Sequence, residues 1–160
     1  EATRQLGLPF LSYVRPAWVL PDDAPWQSAS DVAAAMPMIA PGARVFSATG
    51  WASLPDYAAF PGARLLLRQT HVHPRRPPFD FVDLIFGDPP FNSASETALF
   101  RDLNVDTLIC RNLGGHASRP KLDAARVLDM TVLLIDRPPI PAGVTVVDDL
   151  DVAKSWLMGL

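Results

Sequence analysis

One cysteine, Cys110, in 160 residues leaves no disulfide framework. It sits in an apolar run, where a thiol is far more often packing than nucleophile. Charge is sparse: 19% of residues are charged, for a net −3 and a pI near 5.5. The basic excess of a nucleic-acid binder is missing. No apolar run approaches the roughly 18 residues that a membrane span requires. The opening EATRQLGL has neither the charged start nor the apolar core of a signal peptide, so a reducing cytoplasm is the expected location. It also lacks an initiator Met and starts in a helical pattern, as expected of a piece continuing from a longer protein. Neither G-x-G-x-x-G nor a Walker sequence is present. No Ser–His–Asp set or carboxylate pair has supporting local context, and no tandem repeat stands out. His71 and His73 alternate at a strand end beside Arg75 and Arg76, but no third ligand accompanies them, so no metal site is expected.

What the chain has in quantity is proline, 17 residues, and apolar residues, at 49%. The prolines cluster at 16–25, 74–78, 89–90 and 138–141, between periodic segments, where they stiffen connections and lower unfolded-chain entropy. Apolar runs predict strands over 9–14, 44–48, 64–69, 81–86, 105–110, 132–135 and 144–147. Helical spacing predicts helices over 1–6 (closed by Gly7), 31–36 (capped by Ser30), 53–60, 93–103, 120–128 and from 150 onward. Asn92 or Ser93 caps the fourth of these, and Ser93 with Glu96 fits a capping box. The alternation predicts an α/β fold, Rossmann- or flavodoxin-like, with a parallel sheet and helices on both faces. Residues 1–16 read as the last helix and strand of a preceding α/β domain. Residues 17–40, with Trp18 and Trp26, read as a connector, and 41–160 as a C-terminal α/β domain.

In open α/β sheets ligands bind at the carboxyl ends of strands. Three predicted loops lie there: residues 47–51, 87–91 and 111–118. The first offers Ser47, Thr49 and Gly50, small and hydroxylated residues suited to an anion, or an ordinary strand-to-helix turn. The third offers Arg111 as a positive fork, Asn112 as an amide, and Gly114-Gly115 for backbone shapes other residues resist. Ser118 is placed to cap the next helix, with Pro120 in its first turn. Lys121 follows in the same turn, against the helix dipole; it is either solvated or paired with an anion. The residues alone thus reach a small-molecule-binding α/β domain with an anionic ligand.

A series of short motifs runs through the chain in order: Arg15-Pro16-Ala17-Trp18, Val45-Phe46-Ser47-Ala48-Thr49-Gly50, and Leu67-Arg68-Gln69-Thr70. Pro90-Phe91 with Glu96 follows, then Asp106-Thr107-Leu108-Ile109-Cys110-Arg111-Asn112-Leu113-Gly114-Gly115. Lys121-Leu122-Asp123-Ala124-Ala125-Arg126 and Arg137-Pro138-Pro139 complete it. The series resembles the precorrin-6A reductases of cobalamin biosynthesis. That resemblance implies two Rossmann-like domains with NADPH and a tetrapyrrole meeting in a cleft, and hydride reduction of precorrin-6A to dihydroprecorrin-6A (precorrin-6B). It implies that much of the NADPH site lies in a first domain mostly outside these residues, so that the chain alone has weak or no activity. The substrate's carboxylates give a use to Arg68, Arg111 and Lys121, and to His71 and His73. A monomer is expected. The competing reading is a non-catalytic α/β domain that binds an anionic small molecule.

Overall fold

The computed structural model describes residues 2–160, apart from the Arg4 side chain; the Glu1 end of the first predicted helix lies outside the described residues. Two compact units emerge. The larger, residues 18–137, holds a six-stranded, all-parallel sheet. Its strands are β2 (Trp26–Ala29), β3 (Arg44–Ala48), β4 (Arg64–Gln69), β5 (Val82–Phe86), β6 (Thr107–Arg111) and β7 (Thr131–Ile135). With β1 (Leu11–Tyr13) belonging to the smaller unit, the spatial order is β2-β7-β6-β3-β4-β5.

The sequence explains why the central strands are central. Leu65–Leu67 and Leu108–Cys110 are continuous apolar runs exposed by 2% or less, as strands covered on both faces must be. Successive side chains alternate between two cores. Val45, Leu65, Leu67 and Ile109 pack with Val32 and Ala35 of α2 (Val32–Ala35) and with Tyr57. Phe46, Leu66, Leu108 and Cys110 pack with Phe100 of α3 (Ser93–Asp102) and with Leu122 and Ala125 of α4 (Pro120–Val127). The sheet is parallel, with helices on both faces, as the alternation of elements predicts. The chain runs outward from β3 through β4 to β5, then returns to lay β6 on the other side of β3. The carboxyl ends of β3 and β6 therefore flank the topological switch point, where open sheets form their crevice.

Several local expectations change. The segment expected as a helix over 53–60 is a 3-10 helix, Trp51–Tyr57, because Pro55 interrupts the helical donors. Asp31 rather than Ser30 caps α2, its extended backbone letting Oδ1 accept the Ala34 N–H at 2.8 Å. In α3 the capping box pairs Asn92 with Ser95, which frees Glu96 to turn inward. Ser118 does not cap α4: the N-cap position is Arg119, without a side-chain cap.

The compact units part at residues 17/18 and 137/138. Within residues 17–40, expected as a connector, Trp26–Ala29 forms an edge strand in register with Val132–Ile135. Residues 138–160 fall with residues 1–17 and not with the main sheet. There β1 pairs in parallel with β8 (Thr145–Val147), followed by α5 (Leu150–Met158), capped by Asp149. A strand formed this way needs a partner from the far end of the chain, which no local pattern announces. This smaller unit leaves Leu6, Leu8, Phe10, Val152 and Leu157 exposed. No described helix is long and apolar enough to cross a membrane.

Candidate functional site

Strand parity decides how the expected site residues are distributed. Ser47 stands in register with Leu67, so Ala48 and Arg68, one step on, point to the opposite face. Side chains at the sheet's carboxyl end form two clusters, one on each face.

On the face shared with Tyr57, Ser47 and Thr49 are 0% and 4% exposed. Ser47 Oγ lies 2.9 Å from Thr49 Oγ1 and 2.8 Å from the Tyr57 hydroxyl. Thr49 Oγ1 lies 2.6 Å from Ser53 Oγ and 3.1 Å from the Tyr57 hydroxyl. Ser53 Oγ donates to the Gly50 carbonyl at 2.7 Å. Each hydroxyl bonds another, so the network holds the turn. Burial pushes the Tyr57 phenol up to about 12. Gly50, at φ +88° and ψ 164°, occupies a region open essentially to glycine alone, and an added Cβ there would meet nothing within 4 Å. Ser53 and Tyr57 escaped the sequence reading because a 3-10 turn, not a helix, brings them back to the strand end.

The glycine loop after β6 is braced by side chains. Asn112 Oδ1 accepts the Trp18 N–H at 2.8 Å, and Asn112 Nδ2 donates to the Trp18 carbonyl at 3.0 Å. Trp18 Nε1 donates to the Gly115 carbonyl at 3.1 Å, and Arg137 Nε to the Asn112 carbonyl at 2.6 Å. Gly114 and Gly115 take φ +67° and +74°, conformations that disfavour any side chain. Asn112 thus shapes the loop through Trp18, the motif tryptophan. Arg111 is exposed at the strand end, with no described partner.

The second cluster lies on the α3/α4 face. Arg68 donates through Nη2 to Glu96 Oε1 at 2.8 Å; the two side chains are 9% and 5% exposed. The Arg68 guanidinium carbon lies 4.2 Å from the Phe91 ring centroid and 4.9 Å from that of Phe46. Gly87 makes room for this stack: a Cβ there would come within 3.2 Å of both Arg68 and Phe91. Arg68 Nε is buried without a hydrogen-bond partner. Lys121 lines the same small cavity, of about 50 Å³, and its Nζ donates to the Ser118 carbonyl. Burial holds its pKa below the ordinary lysine range. Glu96 and Phe91 belong to the motif series but carried no expected role; the signal for Glu96 was an acidic residue that its own capping box did not need.

His71 and His73 do not converge on the other expected residues. His73 packs edge-on against Trp51 at 4.9 Å and Phe86 at 5.8 Å. Among the described residues no group of acidic, His or Cys side chains is arranged to hold a metal ion. Cys110 is fully buried, and its thiol is pushed up to about 12, which makes it inert as a nucleophile. The larger cavity of the smaller unit, about 580 Å³, is lined by Leu8, Phe10, Pro138 and Ile140 with no charged side chain among its walls.

A family model described as Precorrin-6x reductase CbiJ/CobK matches residues 1–158. The chain is 34% identical to the precorrin-6A reductase of Rhodococcus erythropolis, an alignment covering 98% of this chain and 63% of that protein. It is 36% identical to the precorrin-6A reductase of Mycobacterium tuberculosis, again over 98% of this chain and 63% of the relative. A solved structure, CobK precorrin-6A reductase, superposes with a TM-score of 0.89 at 32% identity, covering 99% of this chain and 65% of that one. The chain therefore spans less than two thirds of the length of these relatives.

Proposed function

The chain belongs to the precorrin-6x reductase CbiJ/CobK family, and from that membership we propose that it is the C-terminal part of an NADPH-dependent reductase. The reaction is reduction of precorrin-6A to dihydroprecorrin-6A (precorrin-6B) in cobalamin biosynthesis, in the cytoplasm, with a monomeric enzyme. NADPH supplies the hydride in this reading. In the same reading, much of its site falls to the part of the relatives' length that this chain does not span. Residues 1–16 belong, in the same reading, to that preceding α/β domain.

The observation that carries the proposal is the braced glycine loop at the switch point. Family membership suggests the class of ligand; the braced loop supports this corner as the place where it meets this chain. A loop tied by Trp18, Asn112 and Arg137 holds its backbone in place before a ligand arrives, so little ordering entropy is lost on binding. Gly50, Gly114 and Gly115 allow close approach, and Arg111 presents its charge to an acidic substituent. Arg68 and Lys121 add cationic character on the α3/α4 face. Ser47, Thr49 and Asn112 act one step back, by fixing the turns that carry those groups.

NADPH absorbance followed with precorrin-6A tests the reading. A form extended at its N-terminus to the relatives' length should consume NADPH, and the present chain should consume little or none. If the extended form fails while a relative turns over in the same assay, the reductase reading is wrong, and a non-catalytic, anion-binding α/β domain takes its place.

A further inference from the structure

The cavity between Arg68, Glu96 and Lys121 is an unusual thing to bury. Its walls place two cations, the nearly buried Arg68 and the half-buried Lys121, against one carboxylate, which leaves one positive charge without a described counter-charge in a space of about 50 Å³. Burying an unbalanced charge is costly unless a partner completes it.

The orientation of the groups is equally specific. Phe46 and Phe91 cover Arg68 at 4.9 and 4.2 Å from their ring centroids. Only the guanidinium edge is then left for hydrogen bonds. Glu96 takes that edge through Nη2 alone, and Nε is left buried without a partner. Lys121 carries three donors, of which one has a described acceptor, the Ser118 carbonyl. The walls also include Ala117, which is exposed and gives the cavity a small-residue rim.

We propose that this cavity seats one carboxylate group of the bound substrate, with Lys121 Nζ and the free edge of Arg68 as its donors. Glu96 is the counter-charge that restricts the seat to a monoanion. One positive charge matches one carboxylate; a phosphate or sulfate dianion would leave Glu96 facing an excess of negative charge. A space of about 50 Å³ between these donors suits a carboxylate head on a thin arm. The seat thus favours the acidic arms of a tetrapyrrole over a doubly charged phosphate monoester. The seat itself stands on the cavity, and it rests on the reductase reading only for the source of the carboxylate.

Acetate and sulfate titrated into the nitrogen-labelled chain at constant ionic strength test this, read at the Arg68 Nε–H resonance. Acetate should shift that signal saturably and sulfate should not. Lys121→Gln should weaken acetate by about tenfold or more, as expected when a charge-assisted hydrogen bond is lost. Glu96→Gln, which keeps an acceptor for Arg68, should admit sulfate. Should Lys121→Gln not fold, Lys121→Met gives the same reading. An Arg68 signal indifferent to acetate, or one shifted equally by acetate and sulfate in the unsubstituted chain, overturns the proposal. Either result leaves the NADPH assay standing on its own, and failure of that assay leaves the seat standing.

Discussion

The two polar clusters at the carboxyl end of the sheet start from adjacent strands, Ser47 of β3 and Arg68 of β4, lie on opposite faces and have opposite characters. Ser47, Thr49, Ser53 and Tyr57 close on one another at 2.6–3.1 Å. Arg68, Glu96 and Lys121 do not close: a buried Nε–H lacks an acceptor and a positive charge is left over. Both clusters are buried polar groups, so burial alone does not separate a structural network from a binding one. Completeness does. A fully satisfied network rigidifies the turn it belongs to, whereas an incomplete one costs stability and keeps the capacity to bind.

The largest expected effect comes from destroying the balance of the open cluster. Glu96→Leu strands Arg68 as a buried unpaired charge and should cost about 3–5 kcal/mol in urea denaturation. The double variant Arg68→Met/Glu96→Leu should recover most of that loss. If the single variant costs no more than a surface substitution, the pair is not the buried charge couple described.

In the closed cluster, Tyr57→Phe removes one hydroxyl, but Ser47, Thr49 and Ser53 still bond one another. The expected cost is about 1 kcal/mol in the same denaturation, with acetate affinity unchanged. A weakened acetate response would mean that the two faces are not independent.

Lys121→Met sharpens the comparison from the other side. It replaces a partly desolvated ammonium by an apolar chain of similar length, so it should raise the melting temperature by about 2–4 °C, corresponding to ~1 kcal/mol, while weakening the acetate response by about tenfold or more. A lower melting temperature would show Lys121 to be a structural donor to Ser118.

The smallest effect is in the alkaline limb of the stability curve, where the clusters pull in opposite directions. The Tyr57 phenol is raised from 10.0 to about 12, chiefly by burial. Above about pH 10 the folded chain therefore retains a proton that the unfolded chain releases, and stability falls toward pH 12. Cys110, raised from 9.0 to about 12, acts in the same sense. Lys121, lowered by burial and flanked by Cys110, Glu96 and Arg68, acts in the opposite sense. Between its lowered value and 10.5 the unfolded chain holds the extra proton, so stability rises with pH. Tyr57→Phe should flatten the decline and Lys121→Met should remove the rise, both measurable by denaturation at a series of pH values.

Much of this arrangement was legible in the residues. The runs around Leu65–Leu67 and Leu108–Cys110 announce doubly covered strands, and Gly114-Gly115 announces the strained loop after β6. The motif series identifies the family, which the comparisons show. The division of the site between two faces was available in principle, since Ser47 and Arg68 differ in parity across the β3–β4 register. It depends on that register, however, and a shift of one residue reverses it. Tyr57 and Ser53 were hidden because Pro55 replaces the expected helix with a tighter turn. Glu96 was masked by an alternative capping role that Ser95 fills. The smaller unit was hidden for a different reason: Leu11–Tyr13 finds its partner in Thr145–Val147, at the other end of the chain.

The most direct test of the contrast is a crystal structure of the chain grown in acetate. A carboxylate is expected in the Arg68–Lys121 cavity, touching Lys121 Nζ and the Arg68 edge, with no bound ligand at the Ser47–Tyr57 hydroxyls. A cavity holding only water, or acetate bound to the hydroxyls instead, would contradict it.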